Sequence, residues 1–187
     1  MSRWAPDAQG RLEEAAMELF SERGFEDTTV ADIAERAGLT KRTFFRYFTD
    51  KREVLFSGAA TLQETFVKGV LGAPADASPL EAIAAGLDAG ALVFEQIPDR
   101  ARDRQAILAA NPELQERELI KLARLARAGA EALRHRGVAE PAAGLAAEAG
   151  MAVLRVSFDR WTDDPHGQDL RRLLRESLSE LKSVAQG

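Results

Sequence analysis

The stretch TVADIAERAGLTKRTFFRYF, residues 29–48, decides the fold. Thr29 stands three residues before Asp32, the spacing at which a threonine hydroxyl caps a helix N-terminus and an acidic side chain returns to the cap. Val30, Ile33, Ala34 and Ala37 then form one apolar stripe at helical spacing. Gly38 stops this helix, Leu39 is the next apolar residue to drop into the core, and Thr40 caps a second short helix carrying Phe44, Tyr47 and Phe48. Two short helices joined by a glycine-containing turn, the second opening with cations, hydroxyls and aromatics, meet the requirements of a helix-turn-helix. Glycine suits the hinge because the chain reverses there with positive φ.

Working outward, the same punctuation recurs. A first helix is predicted from Asp7 to Arg23, since Leu12, Ala15, Ala16, Leu19 and Phe20 share a face and Gly24 ends it. Asp50 and Glu53 form a capping box for a long helix reaching Leu71. The segment 72–78, GAPADAS, is the clearest composition break, and Ser78-Pro79-Leu80-Glu81 restarts a helix with proline at its first position. Prolines 98, 112, 141 and 165 cut the remainder into five helices: Pro79 to Ile97, Asp99 to Ala110, Pro112 to Arg136, Pro141 to Thr162 and Gly167 to Val184. The expectation is an all-α chain of about nine helices. Its domains would be an N-terminal unit over 6–66, with the helix-turn-helix at 29–48, and a C-terminal helical unit over 78–187.

Composition narrows the function. The 187 residues include no cysteine and two histidines, His135 and His166, which leaves no disulfide, thiolate metal site or cysteine nucleophile. No HExxH, P-loop, GxGxxG or Ser/His/Asp grouping is present, so no catalytic residue, metal or cofactor is expected. His135, between Arg134 and Arg136, reads as a cation at a helix C-terminus. No stretch approaches the roughly 18 apolar residues of a membrane span and no signal-type core opens the chain, so the expected location is the cytoplasm.

The formal net charge of −5 argues at first against a nucleic-acid partner. Residues 1–52 are themselves close to neutral, with nine Lys or Arg against ten Asp or Glu. Between Gly38 and Arg52, however, Lys41, Arg42, Arg46, Lys51 and Arg52 oppose Asp50 alone, a net charge of +4. Screening confines charge interactions to about 8–10 Å at cellular salt, so a phosphate backbone responds to this local patch rather than to the whole chain.

The segments AAMELF (15–20), GF (24–25), TTVADIAERAGLT (28–40), TFFRYF (43–48) and DK (50–51) together resemble the TetR family of transcriptional regulators, over residues 6–66. The resemblance implies that Lys41, Arg42, Thr43, Phe45, Arg46 and Tyr47 lie on a recognition helix facing double-stranded DNA. It places Thr29, Thr40 and Lys51 at phosphates. Two residues depart from the common pattern, Arg42 where relatives often carry a small side chain and Phe45 where tyrosine is frequent. An arginine there can reach guanine O6 and N7, and a phenylalanine can meet a thymine methyl. Phe44 and Phe48 read as core, and Tyr47 as both core and contact. Arg3 is either part of an N-terminal arm reaching DNA or a loose terminus.

The C-terminal part resembles the family in length and helix pattern. Its run RQAILAANPEL (104–114) looks like a segment of relatives associated with acyl-CoA-like ligands. Phe66, Phe94, Arg104, Ile107, Leu108, Asn111, Met151 and Phe158, with Trp161, either line a ligand cavity or fill it. Arg100 and Arg104 either meet an anionic head group or pair with Asp99 and Asp103. The resemblance implies that the last two helices form a homodimer interface, and the small residues from Ala142 to Ala152, which allow close approach, and the stripe of Leu170, Leu173, Leu174, Leu178 and Leu181 suit that role. The expected function is sequence-specific transcriptional regulation: a repressor released from a palindromic operator by a hydrophobic or acyl-type effector, with the helix from Asp50 to Leu71 as lever. An effector-independent architectural DNA-binding protein is the alternative.

Overall fold

A computed structural model describes residues 7–164 and 169–186. Arg3, Pro6, Pro165, His166 and Gly167 lie outside the described residues. Among those described there are ten α-helices and no strand: α1 (Ala8–Arg23), α2 (Val30–Arg36), α3 (Lys41–Tyr47), α4 (Lys51–Phe56), α5 (Ala59–Leu71), α6 (Pro79–Glu95), α7 (Pro98–Ala109), α8 (Pro112–His135), α9 (Ala142–Asp163) and α10 (Leu170–Gln186). None is long and apolar enough to cross a membrane.

The all-α expectation holds, with one helix more than expected. The continuous lever from Asp50 to Leu71 does not form: α4 ends at Phe56, and Ser57 and Gly58 separate it from α5. The Ser57 hydroxyl donates to the Val54 carbonyl at 3.1 Å, a local bond that competes with the helical ladder, and Gly58 has low helix propensity. The apolar pattern runs through the interruption, which is why periodicity alone misses it.

The described residues form two compact units, one containing the chain up to Gly58 together with Asp103–Gln115, the other Ala59–Arg102 and the chain from Glu116 onward. In the first unit, α1 contributes Leu12, Ala15, Ala16, Leu19 and Phe20 to a core shared with Phe25, Ile33, Phe44, Phe48, Val54 and Leu55. Ile107, Leu108 and Leu114 complete that core. Each such aliphatic side chain stabilises the fold by about 1.5–3 kcal/mol when fully buried.

In the second unit, Phe66, Val70, Ile83, Leu133, Leu170 and Leu173 are its deepest large side chains. The turn-rich segment 72–78 is a connection inside this unit, held where the Arg136 guanidinium donates to the carbonyls of Leu71, Ala73 and Pro74. Ser78 then caps α6 in the capping box expected with Glu81. The helices α9 and α10 join through Ser157, whose hydroxyl is 2.9 Å from that of Ser177 and 3.2 Å from the Leu173 carbonyl, all buried. Arg171 grips Asp88 of α6 with two bonds of 2.8 and 2.6 Å.

The helices α5 and α6 approach each other closely. A methyl group on Gly86 would lie 2.7 Å from the Phe66 carbonyl oxygen and 2.6 Å from Val70 Cγ2, and one on Gly69 would lie 2.7 Å from the Gly86 Cα. Real Cβ contacts do not come this close, so the two helices meet only because both positions lack a side chain. Gly86→Ala is therefore expected to destabilise the protein by about 1–3 kcal/mol through overpacking. A urea unfolding midpoint equal to that of the wild type would show that the crossing relaxes freely.

Candidate nucleic-acid interface

Residues 29–48 fold as their spacing requires. Thr29 accepts from the Asp32 amide at 3.2 Å while Asp32 accepts from the Thr29 amide at 2.9 Å and its hydroxyl at 2.6 Å, closing the capping box of α2. The Thr29 bonds hold the Asp32 carboxyl below its usual range. Gly38 adopts φ +64° and the Leu39 amide returns to the Ala34 carbonyl at 2.8 Å, so the chain reverses between α2 and α3. From α1, Arg11 reaches into the turn and donates to the Ala37 carbonyl. Thr40 accepts from the Thr43 amide at 3.2 Å and its hydroxyl lies 3.0 Å from that of Thr43, capping α3.

The two faces of α3 are sharply different. Phe44 and Phe48 are buried, their rings 5.3 Å apart, and fix the inner face to the core. Outward lie Lys41, Arg42, Phe45, Arg46 and Tyr47, with Thr43 half-buried between the faces. Phe45 is 57% exposed. Its ring meets Phe44 edge-on at 5.5 Å. The Arg46 guanidinium donates to the Tyr47 hydroxyl at 2.8 Å and lies 4.9 Å from the centre of its ring. Among the described residues, the side chains of Lys41 and Arg42 make no hydrogen bond or ion pair. The outer face thus combines free cations, a paired arginine and tyrosine, and an apolar ring: donors for phosphate and guanine, and an apolar contact for a methyl group.

Of the five cations in the +4 patch, two turn inward. Lys51 Nζ donates to the carbonyls of Phe25, Glu26 and Thr28. Arg52 pairs with Asp50 at 2.9 Å and approaches Glu113 at 3.7 Å. Sequence reasoning misses two braces. Arg36 on α2 spans Glu18 at 3.0 Å and Glu22 at 2.7 Å on α1, and the arginine holds the Glu22 carboxyl below its ordinary range. The glutamates stand four apart on α1, a spacing readable in the sequence; Arg11 bonds to a backbone carbonyl and leaves no such trace.

The eight candidate ligand residues divide between the two units. Ile107 and Leu108 are buried in the core of the first unit, where Arg104 Nε donates to the Leu55 carbonyl at 2.7 Å with its guanidinium 5.1 Å from the centre of the Phe56 ring. Asn111 donates to the Ile107 carbonyl at 2.6 Å, a local bond near the end of α7. Phe66, Phe94, Met151 and Phe158 belong to the second unit. There Phe94, Phe158 and Trp161 form an aromatic cluster with centroids 5.1 and 5.5 Å apart, and Arg102 stands 5.7 Å over the Trp161 ring. Among the described residues no group of three or more His, Cys, Asp or Glu is placed to hold a metal ion.

Comparison with known proteins agrees with this geometry. A model of bacterial regulatory proteins of the tetR family matches residues 12–57, and a model of the MftR C-terminal domain matches residues 77–186. The HTH-type transcriptional regulator TcmR of Streptomyces glaucescens is 36% identical over 88 residues, which are 47% of this chain and 36% of that protein. The HTH-type transcriptional regulator EthR of Mycolicibacterium smegmatis is 31% identical over 114 residues, 59% of this chain and 52% of that protein. The matched stretches thus span about a third to a half of these curated relatives. Among solved structures, FadR of Thermus thermophilus in complex with lauroyl-CoA superimposes with a TM-score of 0.58 at 27% identity, covering 93% of each chain. FadR of Bacillus subtilis in complex with stearoyl-CoA, at 20% identity and a TM-score of 0.67 over 92% of this chain and 96% of that one, shares the fold.

The hinge generates a stability test. A side chain at Gly38 would carry the left-handed strain of its φ, about 1–2 kcal/mol, and its Cβ would lie 2.9 Å from Arg11 Nη2. Gly38→Ala is expected to lower stability by about that amount or slightly more, read as a shift of the urea midpoint followed by circular dichroism. An unshifted midpoint would mean that the turn tolerates a Cβ.

Proposed function

The chain belongs to the TetR family of DNA-binding transcriptional regulators, and on that premise we propose that it is a homodimeric repressor released from a palindromic operator by an acyl-type or other hydrophobic effector. The observation that carries the DNA-reading half is the outer face of α3, where Lys41 and Arg42 are unpaired and Phe45 is exposed. A buried Phe44 and Phe48 fix the opposite face, so these side chains project from a rigid platform. In this reading Arg42 reads a guanine edge, Phe45 meets a thymine methyl, Thr43 and Tyr47 support the contact, and Lys41, Arg46, Thr29 and Thr40 serve the phosphates.

Dimerisation is supported by α9. Leu145, Ala149, Ala152 and Val156 recur at helical spacing on its outer side, with Leu145 67% and Val156 50% exposed. The small residues expected there divide: Ala143, Ala147 and Gly150 face inward. The leucines of α10 also turn inward, since Leu170, Leu173 and Leu174 are buried in their own chain. A two-fold contact through the outer stripe of α9 would give the dimer two reading helices, which matches an operator whose two half-sites lie in successive major grooves about 34–36 Å apart.

The effector half draws on the lauroyl-CoA complex of the Thermus thermophilus relative. Within the second unit the aromatic cluster of Phe94, Phe158 and Trp161, with Phe66 and Met151 as further apolar residues, suits an acyl chain, and Arg102 supplies a cation above it. Arg104, Ile107, Leu108 and Asn111 act in this reading as part of the first unit rather than as ligand contacts.

Selection from random duplexes is expected to return an inverted repeat, and saturating lauroyl-CoA is expected to lower affinity for it. Arg42→Ala should cost about 1–3 kcal/mol at one base position of each half-site and leave the others unchanged. A selection without an inverted repeat would favour an architectural DNA-binding protein; unchanged affinity under saturating acyl-CoA would remove that effector class.

A further inference from the structure

We propose that Lys51 is a positioning residue for the DNA-binding face, acting through the α1–α2 turn rather than by touching phosphate itself; the inference rests on the DNA-binding reading above. An ammonium carries three protons and no acceptor. In Lys51 all three are engaged by one loop, at 2.6 Å to the Phe25 carbonyl, 3.1 Å to that of Glu26 and 2.9 Å to that of Thr28. The same ammonium lies 4.3 Å from the centre of the Phe25 ring, an added cation–π attraction. To reach a phosphate, Lys51 would have to release at least one of these carbonyls.

The loop it holds sets the start of the next helix. Residues 24–29 connect α1 to α2, and Phe25 is buried against Phe20 with ring centres 5.0 Å apart. The buried Thr28 side chain bonds back to the Gly24 carbonyl at 2.8 Å. Thr28 is one peptide from Thr29, the cap of α2, so fixing the Thr28 carbonyl fixes where α2 begins and which way the Thr29 amide and hydroxyl face. Lys51 is itself anchored as the first residue of α4, whose cap Asp50 accepts from the amides of Arg52 at 2.8 Å and Glu53 at 3.2 Å and whose Val54 and Leu55 are buried. One side chain thus ties the start of α4 to the start of α2. A guanidinium is planar and presents its donors as a fork, so arginine cannot reproduce three bonds converging on one nitrogen.

The test uses the full chain and a duplex obtained by selection, with affinity measured by fluorescence anisotropy at several salt concentrations. Lys51→Met keeps the stem over Phe25 and removes the donors; the freed carbonyls border solvent, so the fold is expected to survive. Lys51→Gln replaces it should the Met variant not fold. The expected result is a loss of roughly tenfold in affinity at every salt concentration, with the slope of log affinity against log salt unchanged, and no recovery in Lys51→Arg. A slope lowered by about one, or wild-type affinity in Lys51→Arg, would make the ammonium a direct phosphate contact and overturn the proposal. Wild-type affinity in a Lys51→Met variant that merely melts at lower temperature would overturn it by leaving Lys51 a stabilising role alone. A wild-type protein that binds no duplex would defeat the DNA-binding reading and this inference together, and is told apart by that first measurement.

Discussion

Isolated helices shorter than about 12–15 residues are marginal in water, and α3 has only seven. It exists because Phe44 and Phe48 are locked into a core that α1, α2 and α4 build around them. The outer face depends on that anchoring, since the directions in which Arg42 and Phe45 project are fixed only when the backbone beneath them is held. The neighbouring devices serve the same end: Gly38 sets the reversal, Arg36 ties α2 to α1 through two glutamates, and Arg11 holds the turn from the other side. Braces of this kind are individually small, exposed ion pairs being worth about 1 kcal/mol or less. Their value lies in acting on one short element together.

The charge distribution reflects the same division of labour. An acidic chain with a net charge of −5 keeps a cationic face on one helix, and the structure narrows that face further. Lys51 and Arg52 direct their donors into the first unit, while Lys41 and Arg42 stay outward. Counting cations along the chain therefore overstates the outward cationic face; the count must be divided by what each side chain already holds.

Most of the local architecture is legible in the sequence because caps and stops act within four residues. Thr29, Thr40, Asp50 and Ser78 each cap the helix that their spacing announces, and Gly38 turns where expected. The outer residues of α3 are legible for the same reason, as their neighbours Phe44 and Phe48 announce the inner face. What cannot be read depends on contacts distant in sequence. Arg104 meets Leu55 across 49 residues, and Ile107 and Leu108 join a core assembled from the first 55, so their apolar and cationic pattern suits a ligand cavity equally well. The bonds that Lys51 makes leave no trace in the sequence because its partners are backbone carbonyls, which every residue has. The break at Ser57 and Gly58 is visible in composition but masked by a continuous apolar stripe.

The return of residues 103–115 to the first unit bears on modularity. Ile107, Leu108 and Leu114 are buried against α1–α4 residues, so a chain ending at Gly58 would leave a hydrophobic recess where they belong. An N-terminal reader of this kind is not a detachable cassette. Swapping it onto another C-terminal unit would require the recipient to carry a matching plug in the region of α7 and α8, and sequence drift in that region is constrained by the packing of a segment some fifty residues upstream.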